Sequence, residues 1–193
     1  VSLVRYKSKN HPQQVGKRGA RPEIDDRATT PEVFEPLNER FHFTVDVAAS
    51  ADNTKCPRFF TPRDDGLKRR WSGERVWCNP PHSDIGTWVA KAWHERNCGA
   101  NLIVMLVPAN RTEQGWWQRY VEPFRDKGMG LSVEFLPGRL RFLAPGATEI
   151  KPNERPPYGC CLLIWDTQAA TSAGHTIKMV DPYRATPTAE PGE

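Results

Sequence analysis

No stretch of the 193-residue sequence approaches the roughly 20 consecutive apolar residues that cross a bilayer, and its longest apolar run is the short "NLIVMLVP". The opening "VSLVRYKSKNHPQQVGKRGARPE" has no apolar core of the kind a secretory leader carries, so the chain reads as intracellular and off the membrane. Cysteine is sparse and badly spaced for chemistry. Cys56, Cys78, Cys98, Cys160 and Cys161 form no C-x-x-C pair and no Cys/His spacing typical of zinc, and His94 and His175 have no partners at metal spacing. A disulfide scaffold and a zinc module are thereby excluded, and the cysteines are expected to be reduced and buried, with no metal bound. There is no internal repeat and no room for a second large domain.

What is present fits one globular α/β unit: 38% hydrophobic and 26% charged residues, with a formal net charge of +4 and a pI near 8.9. The positive charge is clustered. Arg5, Lys7, Lys9, Lys17, Arg18 and Arg21 all precede the first acid, Glu23, and Arg63, Lys68, Arg69 and Arg70 form a second group. Such clusters attract phosphate backbones, although a solvated surface also accounts for them. Residues 1–28, polar and without apolar periodicity, read as a flexible basic arm; from about residue 166 the composition turns to Ala, Thr, Gly and Pro, a loose C-terminal tail.

Between these lies an alternation of strand and helix signals. "TTPEVFEPLNERF" starts a helix with Thr30 as N-cap and Pro31 in the first helical position, and Val33, Phe34, Leu37 and Phe41 mark one face despite Pro36. "FTVDVAAS" reads as a strand ending at or near Asp46, and "RVWC" as a second. Ile85, Trp88, Val89, Ala92 and Trp93 fall at helical spacing behind Ser83 or Asp84 as cap. "NLIVMLVP" suits a strand buried on both faces, a second helical stretch surrounds Trp116, Trp117 and Tyr120, and "LSVEFLPGRLRFL" and "YGCCLLIW" pair as an antiparallel edge hairpin. The predicted fold is an α/β sandwich over residues 29–165 with a mostly parallel sheet. Helical spacing assigns Trp88, Trp93, Trp116 and Trp117 to the core rather than to base stacking, and Arg139 and Arg141 alternate along a strand and face solvent.

The chemistry concentrates where "RVWC" meets Asn79-Pro80-Pro81-His82. Proline donates no backbone hydrogen bond and holds the preceding residue extended, so this is a stiff turn rich in acceptors. Ligands of open α/β sheets bind at the carboxyl ends of strands. There, the Asn79 side-chain oxygen and the Pro80 carbonyl could accept both hydrogens of one amino group, favouring positive charge developing on a poorly nucleophilic aryl amine.

The ordered segments "TTPEVFEPLNERFHFTVDVAAS", "TPRDDGLKRRW", "RVWCNPPH", "VPANRTEQGWWQRYV" and "GRLRFL" together resemble the phage-type DNA N-6-adenine methyltransferases over about residues 29 to 165. The resemblance implies a Rossmann-like methyltransferase sandwich, S-adenosylmethionine as cofactor, double-stranded DNA as partner, and methylation of the exocyclic amine of adenine, in a restriction–modification or phage setting; the sequence leaves the oligomeric state open. By it, Asn79, Pro80, Pro81 and His82 are the catalytic motif, with His82 in the place of the ring that stacks on the base. It also implies that Asp46, Ala48 and Ala49 contact the cofactor, that Thr30 and Pro31 approach its carboxylate, and that Asp65 approaches its adenosine. Read from their residue types alone, Asp46 and Asp65 are equally suited to turns or helix caps.

Two departures stand out: Ala48, Ala49 and Ser50 occupy what is commonly a glycine-rich loop, and His82 replaces the usual Tyr or Phe. A target base would be flipped out of the duplex, with the basic arm, Arg63, Lys68, Arg69, Arg70, Arg111 and a loop near 144–157 carrying Lys151 and Arg155 holding the DNA. The alternatives are the same chemistry on cytosine or a protein glutamine, and a DNA-binding module that has kept the fold and lost catalysis.

Overall fold

The computed structural model describes residues 28–143, 147 and 158–167. Residues 1–27 of the basic arm, the positions of Lys151 and Arg155, and residues 168–193 of the tail with His175 lie outside the described residues; Ala28, expected to close the arm, opens a strand, and Asp166, expected to begin the tail, ends one.

Eight strands and three helices follow in the order β1 (Ala28–Thr29), α1 (Pro31–Phe41), β2 (Val45–Asp46), β3 (Arg58–Phe59), β4 (Arg75–Cys78), α2 (Ile85–Asn97), β5 (Leu102–Pro108), α3 (Gly115–Tyr120), β6 (Ser132–Phe135), β7 (Phe142–Leu143) and β8 (Cys160–Asp166) among the described residues. Helix α1 begins at Thr30 with Pro31 behind it, as the sequence predicts, and passes through Pro36, whose side is exposed. It stops where His42 turns left-handed at φ 50° and donates its N–H to the Asn38 carbonyl at 2.8 Å. Asp84 is the N-cap of α2; its Oδ1 accepts from the Thr87 hydroxyl at 2.6 Å rather than from the helix backbone.

The main sheet has the order β3-β2-β4-β5-β8-β6. The first three pairings are parallel and the last two antiparallel, so the sheet is mostly parallel with an antiparallel edge. That edge is not a simple hairpin. β6 and β8 pair as expected, but the chain between them leaves the sheet and contributes β7, which pairs with β1 in a separate two-stranded sheet. Only Phe142 and Leu143 of "GRLRFL" are therefore in a strand, and Arg139 and Arg141 lie ahead of it in irregular chain. The two-residue strands β1 and β3 carry too few positions for a period-two signal.

Strand alternation sorts the core into two layers. Ile103, Met105 and Val107 of β5, Cys161, Leu163 and Trp165 of β8, and Val76 and Cys78 of β4 pack with α2 and α3 through Trp88, Val89, Trp93 and Trp117. Leu102, Val104 and Leu106, with Leu162, Ile164 and Trp77, pack against Phe34, Leu37 and Phe41 of α1. All seven residues of β5 are buried, as its unbroken apolar run requires. Each such side chain contributes on the order of 1.5–3 kcal/mol, so the sheet is the rigid part that positions the loops at its ends. Cys56, Cys78, Cys160 and Cys161 are buried free thiols; Cys98 departs from expectation by being exposed at the end of α2.

Candidate active site

The parallel strands bring the carboxyl ends of β2, β4 and β5 to one edge. From β2 the chain crosses to β3 on one side, whereas from β4 it crosses through α2 to β5 on the other. The crevice between β2 and β4 is thus the point where the connections diverge, the position at which open α/β sheets leave room for a ligand. Asp46 ends β2 and Asn79 follows β4, so both flank this crevice. A cavity of about 470 Å³ opens there, lined among others by Asp46, Ala48, Ala49, Asp65, Asn79 and Pro81.

Six of the ten residues expected for cofactor and catalysis therefore share one cavity. Thr30 and Pro31 do not line it: the Thr30 carbonyl starts α1 by accepting from Val33 and Phe34 at 3.1 and 3.0 Å, and Thr29, one residue earlier, takes the cavity side with Ala28. Pro80 is buried and His82 half-buried, and neither is among the residues that line the cavity. The turn also consumes one of its own acceptors, since the Asp84 N–H donates to the Pro81 carbonyl at 3.1 Å.

Asp46 is only 3% exposed. Its Oδ2 accepts the Lys55 backbone N–H at 3.1 Å and its Oδ1 that of Ala48 at 3.3 Å. Burial pushes its carboxyl up to about 6, against the two N–H donors and the Lys55 charge, which act in the opposite direction. The Lys55 ammonium is itself lowered by burial and supported by Asp46. Apolar side chains line the same cavity, among them Val47, Phe60, Trp77 and Trp88. Trp88 is thus both core, as its spacing predicts, and cavity wall; it stacks on Trp71 at 6.3 Å between centroids.

A glycine is required in the neighbouring loop. A Cβ on Gly66 would lie 2.1 Å from the Val47 carbonyl oxygen and 3.1 Å from the Trp88 ring, so only glycine lets the loop after β3 lie against the end of β2. That loop is tied by Asp64, whose Oδ2 accepts the Thr61 N–H at 3.0 Å and hydroxyl at 2.7 Å. Asp65, left-handed at φ 56°, sits 2.8 Å from the Lys68 ammonium, whose hydrogen bond holds its carboxyl below the usual range. Arg69 donates from Nε to the Asp64 carbonyl at 2.9 Å. Arg63, Lys68, Arg69 and Arg70 are all exposed on this one loop, and Arg111 is half-buried in the turn after β5, at the same edge of the sheet.

A family model described as DNA N-6-adenine-methyltransferase (Dam) matches residues 18–182. The chain belongs to that family. It is 34% identical over 114 residues to the DNA N-6-adenine-methyltransferase of Escherichia phage T1, an alignment covering 58% of this chain and 44% of the relative. It is 33% identical over 77 residues to the DNA N-6-adenine-methyltransferase of Haemophilus phage HP1 (strain HP1c1), covering 39% of this chain and 44% of that relative. The aligned chain spans less than half the length of either.

Several cavity residues of this Dam-family chain escape motif reading. Asn53 closes the loop after Ala49 by accepting the Ser50 N–H at 2.6 Å, and Lys55 follows it into the wall beside Asp46. The signal available for them was a turn-forming "ADN" and a lysine nine residues after the strand-ending acid, neither specific alone. Phe60 and Thr61 enter through β3, too short to be seen in advance.

Proposed function

We propose that the chain transfers a methyl group from S-adenosylmethionine to the exocyclic amine of adenine in DNA, on a Rossmann-like methyltransferase fold. The observation that carries this reading is the meeting of the Asp46 pocket and the Asn79-Pro80-Pro81 turn in one cavity at the diverging strands. The residues present fit the cofactor. A desolvated carboxylate suits its ammonium or hydroxyl groups, apolar aromatic walls suit its adenine, and about 470 Å³ lies within the range of small-molecule sites. When bound, the cofactor supplies an electrophilic methyl on a sulfonium.

Asp46, Ala48 and Ala49 would hold it, with Phe60 and Trp88 as walls; Thr29 and Ala28 take the place expected of Thr30 and Pro31. Asp65 reaches the same cavity while engaged with Lys68. Asn79 lines the cavity and would present its side-chain oxygen to one amine hydrogen, favouring positive charge on nitrogen as it is attacked, while the Pro80 carbonyl expected to take the other lies off the cavity wall. His82 backs the base. Such a site requires the adenine to be flipped out of the duplex at a cost of a few kcal/mol. Phosphate contacts from Arg63, Lys68, Arg69, Arg70 and Arg111, joined by Lys151 and Arg155, would offset that cost, and binding should weaken steeply with salt.

The test is incubation of the purified protein with S-adenosylmethionine and unmethylated duplex DNA, followed by mass spectrometry of the digested nucleosides. N6-methyladenine is expected with the intact protein, and a rate lower by about 10²–10³ with Asn79→Ala. Methylcytosine instead would reassign the substrate. No methylated base from a folded, DNA-binding protein would overturn the reading in favour of a non-catalytic DNA-binding module.

A further inference from the structure

His82 is held by two rings from distant parts of the chain. Its Nδ1 lies 3.2 Å from the Tyr158 hydroxyl, across 76 residues of sequence. The Tyr158 ring meets it at 6.2 Å and 60°, and the Phe142 ring edge-on at 6.5 Å and 90°. These neighbours arrive there because β8 runs antiparallel to β5. Its entry, Tyr158-Gly159, therefore lies at the carboxyl edge of the parallel strands, where the Gly159 carbonyl accepts the Ala109 N–H at 2.9 Å. Phe142 is placed by the β1–β7 pairing, whose β1 side lines the cavity.

We infer that Tyr158 is a positioning residue that fixes the orientation and tautomer of the His82 imidazole beside the Asn79-Pro80-Pro81 turn. A phenol is the stronger acid and an imidazole nitrogen the stronger base of this pair, so the phenol donates to Nδ1 and the ring proton resides on Nε2. The hydrogen bond and the edge of Phe142 together restrict rotation about the Cβ–Cγ bond. A histidine offers less ring area to a base than Tyr or Phe, and a fixed plane avoids the entropy of ordering a loose ring at each encounter. The consequence for turnover rests on the methyl-transfer reading; the hydrogen bond does not.

Two measurements on the full chain separate them. In protein labelled with 15N-histidine, without cofactor or DNA, the His82 resonances are expected to show a protonated Nε2 and an unprotonated, hydrogen-bonded Nδ1; Tyr158→Phe should shift them towards a tautomer mixture. Unchanged His82 resonances in a folded Tyr158→Phe protein would overturn the inference, whether or not the chain methylates DNA. In the methylation assay, Tyr158→Phe should lower kcat about three- to tenfold with S-adenosylmethionine affinity unchanged. The same substitution in a His82→Phe background should have no further effect. An equal loss in both backgrounds would show that Tyr158 acts without His82 and would overturn the proposal.

Discussion

Asp46 and Glu95 are both almost wholly buried, at 3% and 2% exposure, yet they stand in opposite relations to the fold. Glu95, on α2, accepts the Trp71 backbone N–H at 2.6 Å with one oxygen and holds the Lys91 ammonium at 2.7 Å with the other. It ties the chain ahead of β4 to the helix behind it, and its charge is neutralised one helical turn away. Asp46 is met by two backbone N–H groups, borders a cavity, and has its carboxyl raised to about 6 by burial. Burial alone therefore does not mark a functional acid. The difference lies in what surrounds them: Glu95 is enclosed by protein partners, whereas Asp46 also borders the cavity.

Substitution should break the comparison cleanly. Glu95→Ala leaves Lys91 and the Trp71 N–H without their buried partner, so it should cost about 3–5 kcal/mol in a denaturant titration while cofactor affinity of the folded protein holds. A weakened cofactor affinity in folded Glu95→Ala would erase the distinction. Asp46→Asn should do the reverse, losing at least about tenfold in S-adenosylmethionine affinity by calorimetry with little loss of stability at neutral pH.

The pH dependence sharpens the point. Because the folded-state pKa of Asp46, about 6, lies above its unfolded value, the native protein keeps a proton that the unfolded chain releases. Asp46 therefore subtracts stability progressively as pH rises from about 4 to about 6, on the order of 3 kcal/mol in all. Unfolding midpoints of the wild type should fall relative to those of Asp46→Asn across that window, and a constant gap would refute it. A bound cation favours the ionised form, so S-adenosylmethionine affinity should rise with pH over the same interval.

The elements that were legible in the sequence are those whose signal is dense. β5 announces itself by an unbroken apolar run, α1 by Thr30-Pro31 and one apolar face, and the Asn79-Pro80-Pro81 turn by backbone restriction that no context changes. Asp46, Ala48, Ala49, Asp65, Asn79 and Pro81, all expected at the site from the sequence, meet in one cavity. What was hidden depends on pairing between distant segments. β1 and β3 have two residues each, so Thr29 rather than Thr30 and the whole Phe60–Thr61 wall follow only from tertiary placement. Two partners of His82 come from β7 and from the chain entering β8, which no local pattern joins to the Pro-Pro turn. Cys98 is exposed because it caps the end of α2, where a small residue is tolerated irrespective of polarity.

Gly66 tests whether the cavity depends on backbone approach as much as on charge. Its Cβ would meet a backbone oxygen, Val47 O, which cannot rotate away, so Gly66→Ala must separate the two loops or displace Trp88. Overpacking of this kind costs about 1–3 kcal/mol, and S-adenosylmethionine affinity should fall with it. Gly115→Ala, where an added Cβ meets nothing within 4 Å, should leave both unchanged. Equal behaviour of the two alanine variants would mean that the loops have slack.

The smallest expected effect separates the two lysines that accompany the two acids. Lys55 acts on Asp46 through its charge, since the contact between them is made by the Lys55 backbone, whereas Lys91 touches Glu95 directly. Lys55→Met keeps the backbone N–H and removes only the charge that favours Asp46 ionisation, so the acid limb of S-adenosylmethionine binding should move to higher pH, with a loss of a few-fold near pH 6 that fades as pH rises. Lys91→Met removes the cation from a buried pair and should appear in the unfolding midpoint while the binding limb stays in place. If Lys55→Met also lowers affinity by a constant factor at every pH, the ammonium contacts the cofactor itself, and the division between a charge that tunes Asp46 and one that binds ligand falls.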